Sequence, residues 1–125
     1  MTAPTRPAMD STGQPELLDP CGSPIGSDQS QCLTKAIAKA DGGVTALYQR
    51  LIDALRRQAG AIAGDPDPAS VDDLRSAQHR WQQDREDACR SVGSGAFYAK
   101  ERGACYADRA AERKSELQRQ LDAIP

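Results

Sequence analysis

The residues in this chain able to do chemistry are four cysteines (Cys21, Cys32, Cys89 and Cys105), a single histidine (His79), a cluster of aspartates at 65, 67, 72 and 73, and a serine–glycine stretch at 91–98. Cysteines serve metals, catalysis or disulfides, and spacing separates the three. A zinc site draws on close pairs such as C-x-x-C, because two ligands must converge on one ion. Here successive cysteines are separated by 10, 56 and 15 residues, so no metal is expected. A catalytic thiol needs an imidazole partner, and His79 lies between Gln78 and Arg80 on a charged helix, where a solvated surface imidazole is expected. With no nucleophile beside a base and no phosphate-cradling loop, neither enzymatic activity nor a cofactor is expected.

Two disulfides in an oxidising compartment are the favoured use of the thiols. Four cysteines allow three pairings, and composition does not choose among them. Cys89 ends one helical pattern and Cys105 begins the next, so a bridge between them would staple a helical hairpin across its loop. Closing a loop of that size is worth about 3 kcal/mol in the chain-entropy picture. Cys21 and Cys32 would then tie an irregular N-terminal arm to the first helix.

These residues need a frame to hold them. The chain has 125 residues and a net charge of −2, one small domain's worth of protein. Leu, Ile, Val and Phe make up only 18 residues, a share below the roughly 20% at which an ordinary apolar core becomes doubtful. Alanine supplies another 20, and the aromatic residues are Trp81, Phe97, Tyr48, Tyr98 and Tyr106. The near-balance of charge opposes wholesale disorder. A thin-cored helical chain of this kind depends on cross-links.

The same arithmetic removes several functions. A pI near 5.3 without a basic run leaves no footprint for nucleic acid. No stretch approaches the roughly 18 apolar residues of a membrane span. Residues 1–10 lack an apolar signal core, so a secreted chain would have lost its signal, with Met1 an added start.

Hydrophobic spacing predicts the elements. Residues 1–20 read as a flexible leader rich in Pro, Thr, Ser and Gly. Ser27 or Asp28 is the expected cap of a first helix, along which Leu33, Ile37, Ala40, Val44, Leu47, Leu51 and Leu55 draw one apolar stripe, widened by Tyr48 and Ile52. The stripe keeps phase through Gly42-Gly43, so the helix should run on or merely kink there. It should fray around 60–64, leading into the turn Gly64-Asp65-Pro66-Asp67-Pro68. Ser70 and Asp73 resemble a capping box opening a second helix with Val71, Leu74, Ala77, Gln78, Trp81, Arg85 and Cys89 on one face. Residues 91–95 break it. A last helix runs from Tyr98 or Ala104 to Leu121, carrying Cys105, Ala110, Arg113 and Leu117. The expected fold is all-α: a small three-to-four-helix hairpin bundle over residues 21–125, stapled by two disulfides.

Within the second helix, Ala77-Gln78, Trp81, Arg85, Glu86 and Cys89 resemble the A-Q-x-x-W-x-x-x-R-D-x-x-C signature of the LprI-type lysozyme inhibitor domain. Other features agree in order. Cys21 and Cys32 precede a long helix with an L-x-x-x-Y-like element at Val44-Thr45-Ala46-Leu47-Tyr48, and a glycine-containing loop follows Cys89. Cys105, Ala110, Arg113 and Leu117 stand where the family shows C-x4-T-x2-R-x3-L. The likeness covers about residues 20–121. Glu86 replaces the usual Asp, Thr45 stands where Asn is frequent, and Ala110 replaces Thr.

For the signature residues, a structural task is the first expectation. Trp81 should fill the core between helices. Arg85 cannot enter a core unpaired and should meet an acid on the first helix, a helix-end carbonyl or the neighbourhood of Glu86. Gln78 and Arg113 should bridge in the same way.

The resemblance implies a non-catalytic inhibitor that binds a lysozyme-like muramidase, or another peptidoglycan hydrolase, in the periplasm or cell envelope. A muramidase carries two carboxylates in a cleft, and animal-type lysozymes are basic, so an inhibitor should offer negative charge for encounter and a projection for the cleft. Two segments qualify. Asp65, Asp67, Asp72 and Asp73 place four acids in nine residues, stiffened by proline; an ordinary solvated turn is the competing expectation. Ser94-Gly95-Ala96-Phe97-Tyr98 spells S-G-x-x-Y, similar to the cleft-inserting motif of a different, β-barrel class of lysozyme inhibitors. Ser94 would meet one carboxylate, Phe97 and Tyr98 the cleft walls, and Lys100 a second carboxylate. Alternative functions are an immunity protein against a cognate secreted toxin, or a structural envelope domain.

Overall fold

The structure, a computed structural model, describes residues 23–93 and 98–125. These form three helices, α1 (Gly26–Gln58), α2 (Ala69–Cys89) and α3 (Tyr98–Asp122), with no strand among the described residues. The expected leader, and Cys21 with it, lies outside the described residues.

The apolar stripe of α1 builds one helix of 33 residues that passes through Gly42-Gly43 without interruption, about 50 Å of axis at 1.5 Å per residue. Gly43 is suited to its place: a Cβ there would come within 3.0 Å of Lys114 Cε, because the Lys114 side chain lies across it from α3. The helix stops where Gly60 turns to φ 73, a left-handed conformation open to glycine, while its N–H donates back to Arg57 O.

The expected start signals fail at two helices. The residue before α1 is Ile25, not Ser27 or Asp28, and the residue before α2 is Pro68, not Ser70; neither makes a side-chain cap. At α1 the Ser23 hydroxyl donates to Asp28 Oδ2 at 2.8 Å and accepts from Ile25 N, so Asp28 is engaged from outside the helix. At α2 the Pro68 carbonyl accepts from Val71 N and Asp72 N, so the helix begins before Ser70 is reached. Of the two starts expected for the last helix, Tyr98 is the one adopted. There the orphan N–H of Ala99 donates to Gln29 Oε1 of α1 at 2.9 Å, a cap supplied across the bundle.

That contact also sets the topology. Gln29 meets Ala99, Gly103 lies against Ala36, and Lys114 lies over Gly43, so α1 and α3 run parallel with α2 antiparallel to both. The core is Val44, Leu51 and Ile52 of α1, Val71 and Leu74 of α2, and Ala110 and Leu117 of α3. Trp81 does not fill the centre as expected. It packs partly buried at the margin, and Leu51 and Leu117 are the largest apolar side chains fully enclosed. The indole lies against the Arg85 guanidinium, 4.5 Å from its centroid, and Arg85 in turn is drawn toward its solvent-facing partner, Asp41.

Cys89 and Cys105 form the expected bridge between α2 and α3, with Cα atoms 5.6 Å apart. It is the one disulfide among the described residues. Cys32 is itself disulfide-bonded, and its expected partner, Cys21, lies outside the described residues.

Candidate functional site

Asp67, before the start of α2, and Gly93, beyond its end, root the two segments proposed for partner contact at opposite ends of a helix whose 21 residues span about 30 Å. One cleft cannot take both.

At the C-terminal end of α2, beyond the Cys89–Cys105 bridge, Val92 N donates to Cys89 O. Gly93 then takes φ 80, and a Cβ added there would meet the Tyr98 carbonyl at 3.0 Å. Arg102, one turn into α3, donates from Nε to Val92 O at 2.9 Å and from Nη2 to Gly93 O at 3.4 Å. Its guanidinium covers the Tyr98 ring at 4.5 Å, while Tyr98 Oη and Ser30 Oγ are 3.3 Å apart. The two roots of the segment, Gly93 and Tyr98, are thus held by one arginine and by α1. Ser94, Gly95 and Phe97 lie outside the described residues, and Lys100 is exposed. Tyr98 is committed to the bundle rather than standing free.

At the other end, the aspartates differ from one another. Asp67 Oδ1 accepts from Arg56 at 2.5 Å, and Oδ2 accepts from Arg75. These hydrogen bonds, Arg75's first, hold the Asp67 carboxyl below its usual range despite some desolvation. Asp65 Oδ2 accepts from Ile62 N at 2.9 Å, closing the turn. Asp72 and Asp73 are exposed at the start of α2, where negative charge complements the helix dipole.

The signature residues face inward. Arg85 forks onto Asp41 of α1 at 2.6 and 3.0 Å and lies between the rings of Trp81 and Tyr106, 4.5 and 5.3 Å away. Tyr106 Oη donates to Glu86 Oε1 at 2.8 Å, and burial, followed by the Glu86 carboxylate, pushes its phenol above the ordinary value. Arg113 Nε donates to Gln78 Oε1 at 2.8 Å. Its Nη2 is buried without a hydrogen-bond partner, and burial lowers the guanidinium from its ordinary value. These contacts join α1 to α2 and α2 to α3. His79 is exposed on the outer face of α2.

Four contributors were missed from sequence: Gln29, Asp41, Arg102 and Tyr106. Gln29 also donates from Nε2 to Ser23 O and is fully buried. Its only sequence signal is its place four residues before Leu33 on the apolar stripe. Asp41 had been implied only as an unnamed acid on the first helix. Tyr106 stands four residues before Ala110 on the buried stripe of α3, a spacing signal that was there to read, whereas Arg102 lies off that stripe and carries none.

Among the described residues, no three His, Cys, Asp or Glu side chains come together in a metal-holding arrangement, and no helix is long and apolar enough to cross a membrane. The family described as lysozyme inhibitor LprI matches residues 21–117. Neither a curated protein nor a solved structure matches the chain.

Proposed function

The chain belongs to the LprI lysozyme inhibitor family, and we propose that it is a non-catalytic envelope protein that binds a lysozyme-like muramidase and blocks its cleft by protein–protein contact. The contact end is the one where α2 meets α3, with Ser94, Gly95, Phe97 and Lys100 reaching the partner and Tyr98 holding the root. The observation that carries this choice is the double anchoring of Gly93 and Tyr98 by Arg102. A projection with fixed roots loses less conformational freedom on binding than one on a loose hinge.

Charge supports the same end. The N-termini of α1 and α3 lie side by side there, as the Gln29–Ala99 contact requires, and helix N-termini favour nearby anions. Lys100 adds an exposed cation. A muramidase cleft presents two carboxylates, which suits this end better than the aspartate-bearing turn. At that turn Asp67 is already neutralised by Arg56 and Arg75. Asp65, Asp72 and Asp73 then act at a distance, steering a basic partner during encounter.

The test is a titration against cell-wall lysis by a c-type lysozyme. Stoichiometric protein should abolish lysis, and Ser94→Ala combined with Phe97→Ala should weaken inhibition at least about tenfold, a loss of about 1.4 kcal/mol. Asp72→Asn with Asp73→Asn should slow association while leaving dissociation unchanged. Full inhibition by the Ser94/Phe97 variant would remove the contact end from the reading. Failure to bind lysozymes of any class would remove the inhibitor reading itself in favour of a cognate toxin.

A further inference from the structure

Beside the α1–α3 seam runs an open groove of about 400 Å³. Its floor is made by Ala36 and Ala40 of α1 with Ala107 and Ala110 of α3, and Lys39 and Lys114 stand exposed on its rims. The Lys114 side chain, lying across Gly43, closes the far end. The groove thus combines a shallow apolar bed with one cation midway and another at its end.

The near end is marked by Cys32. Cys32, Ala36, Lys39 and Gly43 follow steps of four, three and four, so they share one face of α1. Cys32 is disulfide-bonded, and Cys21 is its expected partner. A chain tethered there starts in line with the groove.

The residues before Cys21 suit that bed. Glu16-Leu17-Leu18-Asp19 sets two leucines between two acids, and these leucines are the only Leu, Ile, Val or Phe in residues 1–22. The lengths also agree. Lys39 lies seven residues beyond Cys32, about 10 Å along the helix, and Gly43, under Lys114, about 16 Å. Extended chain reaches about 7 Å from Cys21 to Asp19 and about 17 Å to Glu16.

We propose that the segment Glu16–Asp19 of this chain docks in the α1–α3 groove, with Leu17 and Leu18 over the alanine floor, Asp19 near Lys39 and Glu16 near Lys114. The leader then forms a fourth layer of the domain, covering a seam that alanine side chains alone leave shallow. The segment runs antiparallel to α1. Exposed ion pairs contribute little by themselves, so the leucines supply the attraction and the acids fix the register.

Acylation of lysine amines, read residue by residue by mass spectrometry on the full oxidised chain, tests this. Lys100 is exposed, stands outside the groove lining and serves as the reference. Lys39 and Lys114 should react about fivefold more slowly than Lys100, as expected if about four molecules in five are docked. Leu17→Ser with Leu18→Ser should bring Lys39 and Lys114 to the Lys100 rate. Zero-length carbodiimide coupling should link Glu16 to Lys114 and Asp19 to Lys39 within one chain. Equal rates in the unaltered chain, protection that survives the double variant, or coupling found only in covalent dimers would each overturn the proposal, the last assigning the groove to a second copy. Disulfide mapping that pairs Cys32 with anything other than Cys21 would also overturn it.

Discussion

Arg85 on α2 and Asp41 on α1 form a two-pronged ion pair, 2.6 and 3.0 Å, between residues 44 positions apart in sequence. The guanidinium is almost enclosed, with 8% of its side chain exposed against 38% for the aspartate. Its planar faces lie against Trp81 and Tyr106, so one residue satisfies charge, stacking and helix docking together. Asp41→Asn should cost about 2–3 kcal/mol in urea unfolding, below the roughly 3–5 kcal/mol of a fully buried pair because Asp41 keeps some solvent. Arg85→Lys should not rescue, since an ammonium cannot fork onto a carboxylate or stack between rings. A lysine variant as stable as the parent would refute the role given to the fork.

The Gln78–Arg113 contact makes a different prediction. Arg113→Met leaves Gln78 Oε1 facing a desolvated space and should cost about 1–3 kcal/mol. Removing both partners as Gln78→Leu with Arg113→Met should return stability to near the parent, because it also removes the buried Nη2 that has no acceptor. A double-mutant cycle in urea measures the difference. Simple additivity of the two losses would contradict it.

Gly93 and Arg102 should affect inhibition more than folding. Gly93→Ala forces a side chain into φ 80 against the Tyr98 carbonyl, a strain of about 1–2 kcal/mol. Arg102→Leu frees the Val92 and Gly93 carbonyls and should weaken lysozyme inhibition about tenfold while Tm moves by only a few degrees. Inhibition unchanged in both variants would show that the anchoring of the loop roots is irrelevant to binding.

Two groups give stability opposite pH dependence. The Tyr106 phenol is raised above its ordinary value by burial and by Glu86, so the fold favours its neutral form. Its contribution is complete below pH about 10 and is lost as pH rises through the folded value. Tyr106→Phe should flatten that alkaline loss. The Asp67 carboxyl is lowered by Arg75 and Arg56; its contribution is present above pH about 4 and is lost as pH falls through the folded value. Asp67→Asn should remove this acid-side slope, and added salt should shrink it, because the Arg75 end is exposed. Thermal melts across pH check both signs.

Reduction of Cys89–Cys105, or its replacement by serines, should lower stability by about 3 kcal/mol. Because the bridge closes only a 16-residue separation, α1 should keep its helicity by circular dichroism while α2 and α3 separate. Unchanged melting on reduction would contradict the dependence of this thin core on its cross-link.

The amino-acid sequence by itself determined the three helices, the phase of the α1 stripe across Gly42-Gly43, the α2–α3 bridge and the face of α2 that carries Gln78, Arg85 and Cys89. Each follows from periodicity or spacing within one element or across one short loop, and such local signals survive without knowledge of the fold. The starts of α1 and α2 did not follow, and for α3 the choice between Tyr98 and Ala104 was left open. A backbone N–H donates to any suitable acceptor, and for α3 that acceptor is the side chain of Gln29, 70 residues away. Only the tertiary structure decided which acid answers Arg85, why Trp81 stays at the margin of the core, and that Arg102 and Ser30 hold the residues flanking the glycine loop. Those are matters of which helix faces meet, and in this chain they are settled by parallel packing of α1 on α3, a long-range choice that no window of sequence contains.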